Sequence, residues 1–211
     1  MEISLNLNTL EIGPIKIDVY VPDPESVRQI YAVEKIRYPE TPFPFWAKIW
    51  PSAIALAEYL NVNPDIIKGK RVLELAGGLG LPSIVASHNA EKVCCSDYLE
   101  EAVAVVRQTV LYNRIHNIDC AVYNWNSLPE DLSADVLLLS DVNYEPDVFE
   151  QLIKVCERFL RKGTRIVLTT PGRIMAKDFV SRLDAWCVKK AVIPVNADTT
   201  IFLYEMGLLS A

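Results

Sequence analysis

A glycine-rich turn between two apolar segments constrains this chain more than any other feature. Residues 71–98 read RVLELAGGLGLPSIVASHNAEKVCCSDY, which predicts a strand over residues 71–75, a turn over residues 76–80, a short helix and a second strand that ends at Asp97. Glycines let the backbone approach a ligand closely, and the helix that follows points its free N–H groups toward that position. An acid about 20 residues beyond such a turn commonly binds ribose hydroxyls. The stretch therefore predicts half of a nucleotide-binding unit.

The rest of the chain alternates strand and helix patterns, which predicts an α/β fold in one domain, residues 1–211. Residues 1–22 alternate apolar and polar side chains and predict a β-hairpin, which a helix from Pro24 follows. Further helices are predicted from Pro51, over 99–114, from Pro146-Asp147 and over 175–186, with strands over 118–123, 135–140, 165–170, 188–195 and 199–206. The linker around Ala197 and Asp198 is too short for a crossover helix. We therefore expect a mostly parallel sheet that ends in an antiparallel hairpin, with residues 1–45 as an N-terminal extension of the core, residues 46–211.

Composition narrows the partners. The formal net charge is −6, and no dense cluster of Lys and Arg is present, so nucleic acid is not expected as a substrate. The five cysteines lack metal-ligand spacing, which indicates reduced thiols and no bound metal. The sequence has neither a basic, apolar leader nor an apolar run of about 18 to 20 residues, so we expect a cytoplasmic protein without a membrane partner.

Polar and aromatic residues follow the predicted strands at one edge of the sheet, where open α/β sheets bind ligands. Asn124-Trp125-Asn126 follow one strand, and Trp125 is either a cavity-lining residue or an anchor for its loop. The strand over residues 135–140 ends at Ser140 and is followed by Asp141 and Tyr144, which form a second candidate chemical centre whose side chains suit orientation of a substrate. Alternatively, Asp141 only fixes its loop by accepting hydrogen bonds from backbone N–H groups. Glu145, which is next in the chain, is a candidate cap for the helix from Pro146.

Trp46 and Trp50 lie in a segment stiffened by prolines, directly before the nucleotide-binding unit. Tryptophans four residues apart are commonly core residues. Their position before the glycine turn equally indicates a lid or a pocket wall, and the sequence leaves both interpretations open.

The glycine turn is a poor match to the dinucleotide pattern G-x-G-x-x-G, because Ser83 stands where the third glycine belongs. Glu74, just before the turn, would repel a pyrophosphate but would accept hydrogen bonds from the amino group of a methionine moiety. These two residues favour S-adenosylmethionine as the cofactor.

At this point the chain resembles the class I, seven-β-strand methyltransferases, and within them the family 16 group of protein lysine methyltransferases and nicotinamide-methyltransferase-like bacterial proteins. The resemblance covers about residues 42–185 and rests on four blocks in order, namely FPFWAKIWPSAIALAEYL, VLELAGGLGLPSI, the pair Asn124-Trp125 and SDVNYE. The segment TTPGR further resembles a D-P-G-R stretch of bacterial relatives close to the mitochondrial electron-transfer-flavoprotein lysine methyltransferase.

This resemblance implies a Rossmann-like, seven-stranded fold and a set of site residues. The cofactor's methionine end would lie over residues 74–80, its ribose would bind Asp97, and its adenine would pack near Trp125. The full implied cofactor set is Trp50, Ser52, Glu74, Ala76, Gly77, Gly78, Gly80, Asp97, Trp125 and Ser140. Asp141 and Tyr144 would be catalytic, facing the methyl group and lining the acceptor channel.

One departure from the family concerns Ala76, which stands where the family has its first loop glycine. Its β-carbon would crowd the cofactor if this residue needs a positive φ, unless Gly77 absorbs the change. By resemblance we expect an N-methyltransferase that acts on a protein lysine. The alternatives are a small-molecule N-methyltransferase of the nicotinamide or amine type, and a non-catalytic relative that binds the cofactor without turnover.

Overall fold

Strands and helices alternate along the chain as the sequence predicts. The computed structural model describes residues 3–196 and 199–208. Its strands are β1 (Leu5–Ile12), β2 (Ile15–Pro22), β3 (Arg71–Glu74), β4 (Lys92–Asp97), β5 (Ile118–Val122), β6 (Val136–Ser140), β7 (Arg165–Pro171), β8 (Cys187–Asn196) and β9 (Thr199–Met206). Its α-helices are α1 (Pro24–Arg37), α2 (Pro51–Val62), α3 (Leu81–Ala86), α4 (Glu100–Tyr112), α5 (Phe149–Arg161) and α6 (Lys177–Leu183).

The main sheet has seven strands in the order β5-β4-β3-β6-β7-β9-β8. Neighbours from β5 to β7 pair in parallel, whereas β9 pairs antiparallel with both β7 and β8. The predicted mostly parallel sheet with a C-terminal antiparallel hairpin is therefore confirmed. The linker residues Ala197 and Asp198 lie outside the described residues. The N-terminal hairpin is also confirmed, since β1 and β2 form a separate antiparallel pair.

Helices cover both faces of the sheet, which explains why its strands are nearly continuous runs of apolar residues. Along β6, Val136 and Leu138 face a cluster with side chains of α2, α3 and α4, and Leu137 and Leu139 face a second cluster with α5 and α6. The N-terminal hairpin joins the first cluster through Ile17 and Val19. In the parts of the chain that the structure describes, no helix is both long and apolar enough to cross a bilayer.

Several helix ends differ from prediction for local reasons. The helix predicted over 99–114 ends at Tyr112, because Asn113 turns its side chain back to the carbonyls of Asp18 and Thr109 and Arg114 takes a left-handed backbone, φ 54°. The helix predicted from Pro146 starts as a 3-10 turn, and α5 follows it. The helix predicted over 175–186 is shortened to α6 by a 3-10 turn before it and a turn after it.

Candidate active site

A cavity of about 310 Å³ opens at the carboxyl ends of the parallel strands. Its walls come from the segment before α2, the loop after β3, and the residues that follow β4, β5, β6 and β7. The chain moves outward from β3 to β5 and then returns to the other side of β3 with β6, so the strand order reverses between β3 and β6. Open α/β sheets bind their ligands at such a reversal.

The loop after β3 contains three left-handed residues in a short span. Ala76, Gly78 and Gly80 have φ values of 52°, 55° and 69°. At Gly80 a β-carbon would lie 2.9 Å from the sulfur of Cys95, so only glycine fits there. At position 76, where this chain departs from the family pattern, Ala76 itself therefore has the left-handed backbone, and Gly77 does not have it.

Ten of the twelve predicted site residues line this cavity. They are Trp50, Ala76, Gly77, Gly78, Gly80, Asp97, Trp125, Ser140, Asp141 and Tyr144. The other two, Ser52 and Glu74, do not line it. Ser52 is completely buried in α2, and its carbonyl accepts a hydrogen bond from Thr169 Oγ1 at 2.9 Å.

Glu74 lies underneath the glycine loop and is completely buried. Its Oε2 accepts hydrogen bonds from the backbone N–H of Ser83 (3.0 Å) and from Ser83 Oγ (2.5 Å), while Oε1 has no partner among the described residues. A β-carbon on Gly77 would lie 3.2 Å from its carboxyl carbon. Burial raises the pKa of Glu74 to about 7, although the bonds from Ser83 act in the opposite direction. This carboxyl group therefore supports the loop and the start of α3 from below.

Asp97 ends β4 and is 5% exposed. Its two oxygens accept hydrogen bonds from the backbone N–H groups of Gly78 (3.0 Å) and Leu99 (3.2 Å). Burial nevertheless raises the pKa of this carboxyl group. Each oxygen keeps further acceptor capacity, so the side chain has room for hydroxyl donors from a ligand.

Aromatic rings form the wall before α2. The ring of Phe45 lies 6.1 Å from Trp50 and 5.0 Å from Tyr144, centroid to centroid, and Trp50 Nε1 donates to the carbonyl of Phe45 at 2.7 Å. Trp46 lines the cavity as well, and both tryptophans are half-buried. The structure thus places Trp46 and Trp50 in the cavity wall and not in the core. Trp125 is both lining and anchored, because its carbonyl accepts a hydrogen bond from Gln151 at 2.8 Å.

Asp141 follows β6 with a left-handed backbone, φ 57°, and is 9% exposed. Its N–H donates to the carbonyl of Thr169 at 2.9 Å. Its carboxylate accepts a hydrogen bond from Arg173 Nη1 at 2.5 Å, and no described backbone N–H donates to it. The alternative in which Asp141 fixes its loop by accepting backbone N–H groups is therefore not what the described residues show.

Tyr144 stands beside Asp141 in the wall, partly buried. Burial raises the pKa of its phenol to about 12, and the neighbouring Tyr98 and Glu145 act in the same direction. The phenol therefore stays neutral at physiological pH and both donates and accepts hydrogen bonds. Glu145 precedes the 3-10 turn, but its side chain makes no capping hydrogen bond.

Sequence reasoning gave no role to several polar residues that line the cavity, including Lys48, Tyr98, Tyr123 and Arg173. Two of them could have been found: Tyr98 directly follows Asp97, and Arg173 follows β7 at the same edge of the sheet. In residues 3–196 and 199–208, no cluster of three or more His, Cys, Asp and Glu side chains is arranged to hold a metal.

The lining suits a nucleoside cofactor, with a tight left-handed loop that lets backbone approach, a buried acid with free acceptor capacity, and aromatic rings beside them. The sequence profile of a family described as "Lysine methyltransferase" matches residues 45–186. The chain belongs to this family. It is an S-adenosylmethionine-dependent methyltransferase, as the resemblance implied, and the non-catalytic alternative is not supported.

Two curated relatives and one solved structure illustrate the similarity. The human histone-arginine methyltransferase METTL23 is 29% identical over 157 residues, which cover 71% of this chain and 83% of that protein. The human electron transfer flavoprotein beta subunit lysine methyltransferase is 32% identical over 134 residues, which cover 62% of this chain and 50% of that protein. The N-methyltransferase NodS from Bradyrhizobium japonicum superposes with a TM-score of 0.59 at 14% identity, covering 72% of this chain and 84% of that chain, which supports the fold.

Proposed function

We propose that this methyltransferase transfers a methyl group to the ε-amino group of a lysine in a protein substrate. The observation that carries the proposal is the position of Asp141 and Tyr144, an almost buried carboxylate and a neutral phenol in one wall of the cofactor cavity. A carboxylate orients an incoming amine, and a phenol hydrogen-bonds to it, without either group having to react covalently.

The relatives divide between arginine and lysine as acceptors, and the geometry at Asp141 favours lysine. A guanidinium binds a carboxylate through two parallel hydrogen bonds that need both oxygens. Arg173 already donates to Oδ1 of Asp141, so a substrate guanidinium would find one oxygen. The compact amino group of lysine needs only one acceptor.

The mouth of the cavity favours a protein over a small amine. The aromatic segment before α2 does not close over the cavity, because Phe43 and Phe45 are 49% and 38% exposed. Glu145 lines the same opening and is exposed. A small heteroaromatic substrate would require a closed aromatic pocket, whereas exposed rings and an acid beside an open cavity suit a side chain presented by a protein surface.

The roles of the cofactor-binding residues form part of the proposal. Asp97 would accept hydrogen bonds from the ribose hydroxyls, Trp125 would pack near the adenine, and the loop from Ala76 to Gly80 would hold the methionine end, with Trp50 and Ser140 beside it. Glu74 would act from below, with a charge that attracts the cofactor's amino group across the loop. Ser52 would position α2 through its hydrogen bond with Thr169.

When bound, the cofactor supplies an electrophilic methyl group on a sulfonium. The protein aligns the amine with the S–CH3 bond and excludes water. The lysine first loses a proton to water, because an ammonium has no lone pair. A bound cofactor would supply its methyl group to the lone pair of this nitrogen, the electron pair of the S–CH3 bond would remain with the departing thioether, and the positive charge would pass to nitrogen. Asp141 orients the amine, and Tyr144 shapes the channel and hydrogen-bonds to the nitrogen.

The test combines acceptor identification with two variants. The protein is incubated with labelled S-adenosylmethionine and a lysate of its source, and mass spectrometry locates the label. We expect it on lysine side chains, and label only on arginine or on small molecules would overturn the proposal. Asp141→Asn and Tyr144→Phe should lower methyl transfer at least about tenfold with cofactor binding intact, whereas the surface controls Asp147→Asn and Tyr112→Phe should not. Full activity in both site variants removes their proposed roles.

We further propose one methyltransferase domain, with the hairpin and α1 as its extension, in the cytoplasm. Support for the domain comes from three hydrogen bonds between β2 and the C-terminal end of α4 with its cap: Tyr20 N–H to Thr109 Oγ1 at 3.1 Å, Asp18 N–H to Asn113 Oδ1 at 3.3 Å, and Asn113 Nδ2 to the carbonyl of Asp18 at 2.6 Å. Support for the compartment comes from the five cysteines, which are all free thiols.

A further inference from the structure

The ion pair between Arg173 and Asp141 lies inside the cavity, although none of the steps of the proposed reaction requires it. Nη1 of Arg173 is 2.5 Å from Oδ1 of Asp141, and the side chains are 27% and 9% exposed. Both residues line the cavity. A lysine acceptor is itself cationic before it reacts, so a fixed cation beside its orienting carboxylate at first looks unfavourable.

The pair is built into the loops after β6 and β7. Thr170 Oγ1 donates to Asn143 Oδ1 at 2.6 Å, so the loop after β6 is held to the end of β7 a second time, in addition to the hydrogen bond from the Asp141 N–H to the carbonyl of Thr169. Gly172 packs so tightly that a β-carbon would lie 2.8 Å from the ring of Phe202. Arg173 therefore leaves the sheet at a defined point and direction, unlike a surface arginine that meets an acid by chance.

The other charges of the cavity show what Arg173 offsets. Its charged and titratable lining groups are Lys48 from the segment before α2, Asp97 and Tyr98 after β4, Tyr123 after β5, Asp141, Tyr144 and Glu145 after β6, and Arg173 after β7. Three are acids and two are cations. Without Arg173, an amine at Asp141 would meet an uncompensated carboxylate in an acidic, partly buried site. A neighbouring carboxylate typically raises the pKa of an amine by about 1–3 units. The acceptor would then stay protonated, as an unreactive ammonium.

We propose that Arg173 is a positioning residue that offsets the charge of Asp141, so that the carboxylate orients the acceptor amine without trapping it as an ammonium. Oδ1 is bound by Arg173, and Oδ2 is left for the amine. The amine then loses its proton to water at a lower pH, and its lone pair becomes available for the N–CH3 bond. This role rests on the proposed function, because it requires an amine acceptor with a proton to lose.

The test is the pH dependence of kcat with the purified acceptor protein identified by mass spectrometry. In Arg173→Gln we expect the rising limb of kcat to move about 1–2 pH units upward, kcat at neutral pH to fall about tenfold or more, and KM for the acceptor not to rise. Arg173→Lys, which keeps the charge, should restore the position of the limb. Arg182→Gln, which removes an arginine paired with Glu150 on the surface, should leave the profile unchanged.

Three outcomes would overturn the role of Arg173. One is a fall in kcat and a rise in KM at every pH with the limb unmoved, which indicates a purely structural residue. Another is an unchanged Arg173→Gln profile. The third is measured on the wild type alone and so applies even if Arg173→Gln does not fold. If the rising limb of kcat of the wild type lies more than about one pH unit above the solution pKa of lysine, about 10.4, the site holds the acceptor as an ammonium. If wild-type enzyme methylates no lysine, the proposed function fails instead, so the two failures are distinguishable.

Discussion

Replacing Ala76 by glycine should stabilise the protein, although it removes a side chain. Ala76 has a left-handed backbone with φ 52°, which costs an L-residue about 1–2 kcal/mol. Against this relief, glycine has a more flexible unfolded state, which costs about 0.4–1 kcal/mol. Loss of a half-buried methyl costs a further amount of about 0.4 kcal/mol, half that of a fully buried group. The free energy of unfolding should therefore rise by about 0.5 kcal/mol, equivalent to about 1–2 °C in Tm.

A matched control separates strain from contact with the cofactor. Arg114 is also left-handed, φ 54°, but is exposed and lies outside the cavity. Arg114→Gly relieves the same strain without loss of buried surface, so it should stabilise slightly more than Ala76→Gly. Only Ala76→Gly should tighten the binding of S-adenosylmethionine, because only position 76 lines the cavity.

Urea unfolding and thermal melts of both variants, with and without S-adenosylmethionine, measure both effects. Calorimetry gives the affinity directly. The reasoning is refuted if Ala76→Gly lowers the free energy of unfolding while Arg114→Gly raises it, since position 76 would then carry no relievable strain. Unchanged affinity in Ala76→Gly would show that the β-carbon does not crowd the cofactor.

Three further predictions follow from the same site. Gly80→Ala should lower the free energy of unfolding by at least about 2 kcal/mol, because left-handed strain adds to the close contact with Cys95. As a control, Gly69 is also left-handed but has open space around it, so Gly69→Ala should lower the free energy of unfolding by only about 1 kcal/mol. Equal losses in the two variants would contradict this prediction. Burial raises the pKa of Glu74 from its ordinary 4.5 to about 7. The stability that this group contributes below pH 4.5 is therefore lost, by about 3 kcal/mol, as the pH rises through 7. In Glu74→Gln the free energies of unfolding in urea at pH 5 and pH 8 should differ less than in the wild type, and a difference equal to that of the wild type would contradict this prediction. Asp97→Asn should weaken S-adenosylmethionine binding about tenfold or more by calorimetry, because a charged acceptor is lost, and an unchanged affinity would remove the ribose role.

The fold was predictable because its signals are local. Continuous apolar runs indicate strands covered on both faces, and the short linker between the last two strands excludes a crossover helix. Helix ends were less predictable, since they depend on partners distant in sequence. Asn113 ends α4 partly by bonding to the carbonyl of Asp18, 95 residues away.

The site was predictable as a set of loops but not as a set of contacts. Every predicted residue lies at or near the end of an element at the ligand-binding edge, yet Glu74 and Ser52 do not line the cavity. A strand covered on both faces has no polar side to show which of its residues faces the ligand. The ion-pair partner of Asp141 could not be predicted from the sequence either. Arg173 lies 32 residues away and contacts Asp141 only because β6 and β7 are paired.

Backbone strain is concentrated at the cavity. Among the described residues, Ala76, Arg114 and Asp141 are the non-glycine residues with positive φ, and two of the three line the cavity. Such conformations persist only where the surroundings fix them. For Asp141 the surroundings are Thr169 and Arg173, both supplied by β7 and its loop. The segment SDVNYE therefore does not fix the orientation of its own Asp141, which is fixed by the adjacent strand β7 and its loop. A substitution at Arg173 should act on the acceptor side of the cavity while leaving cofactor binding intact.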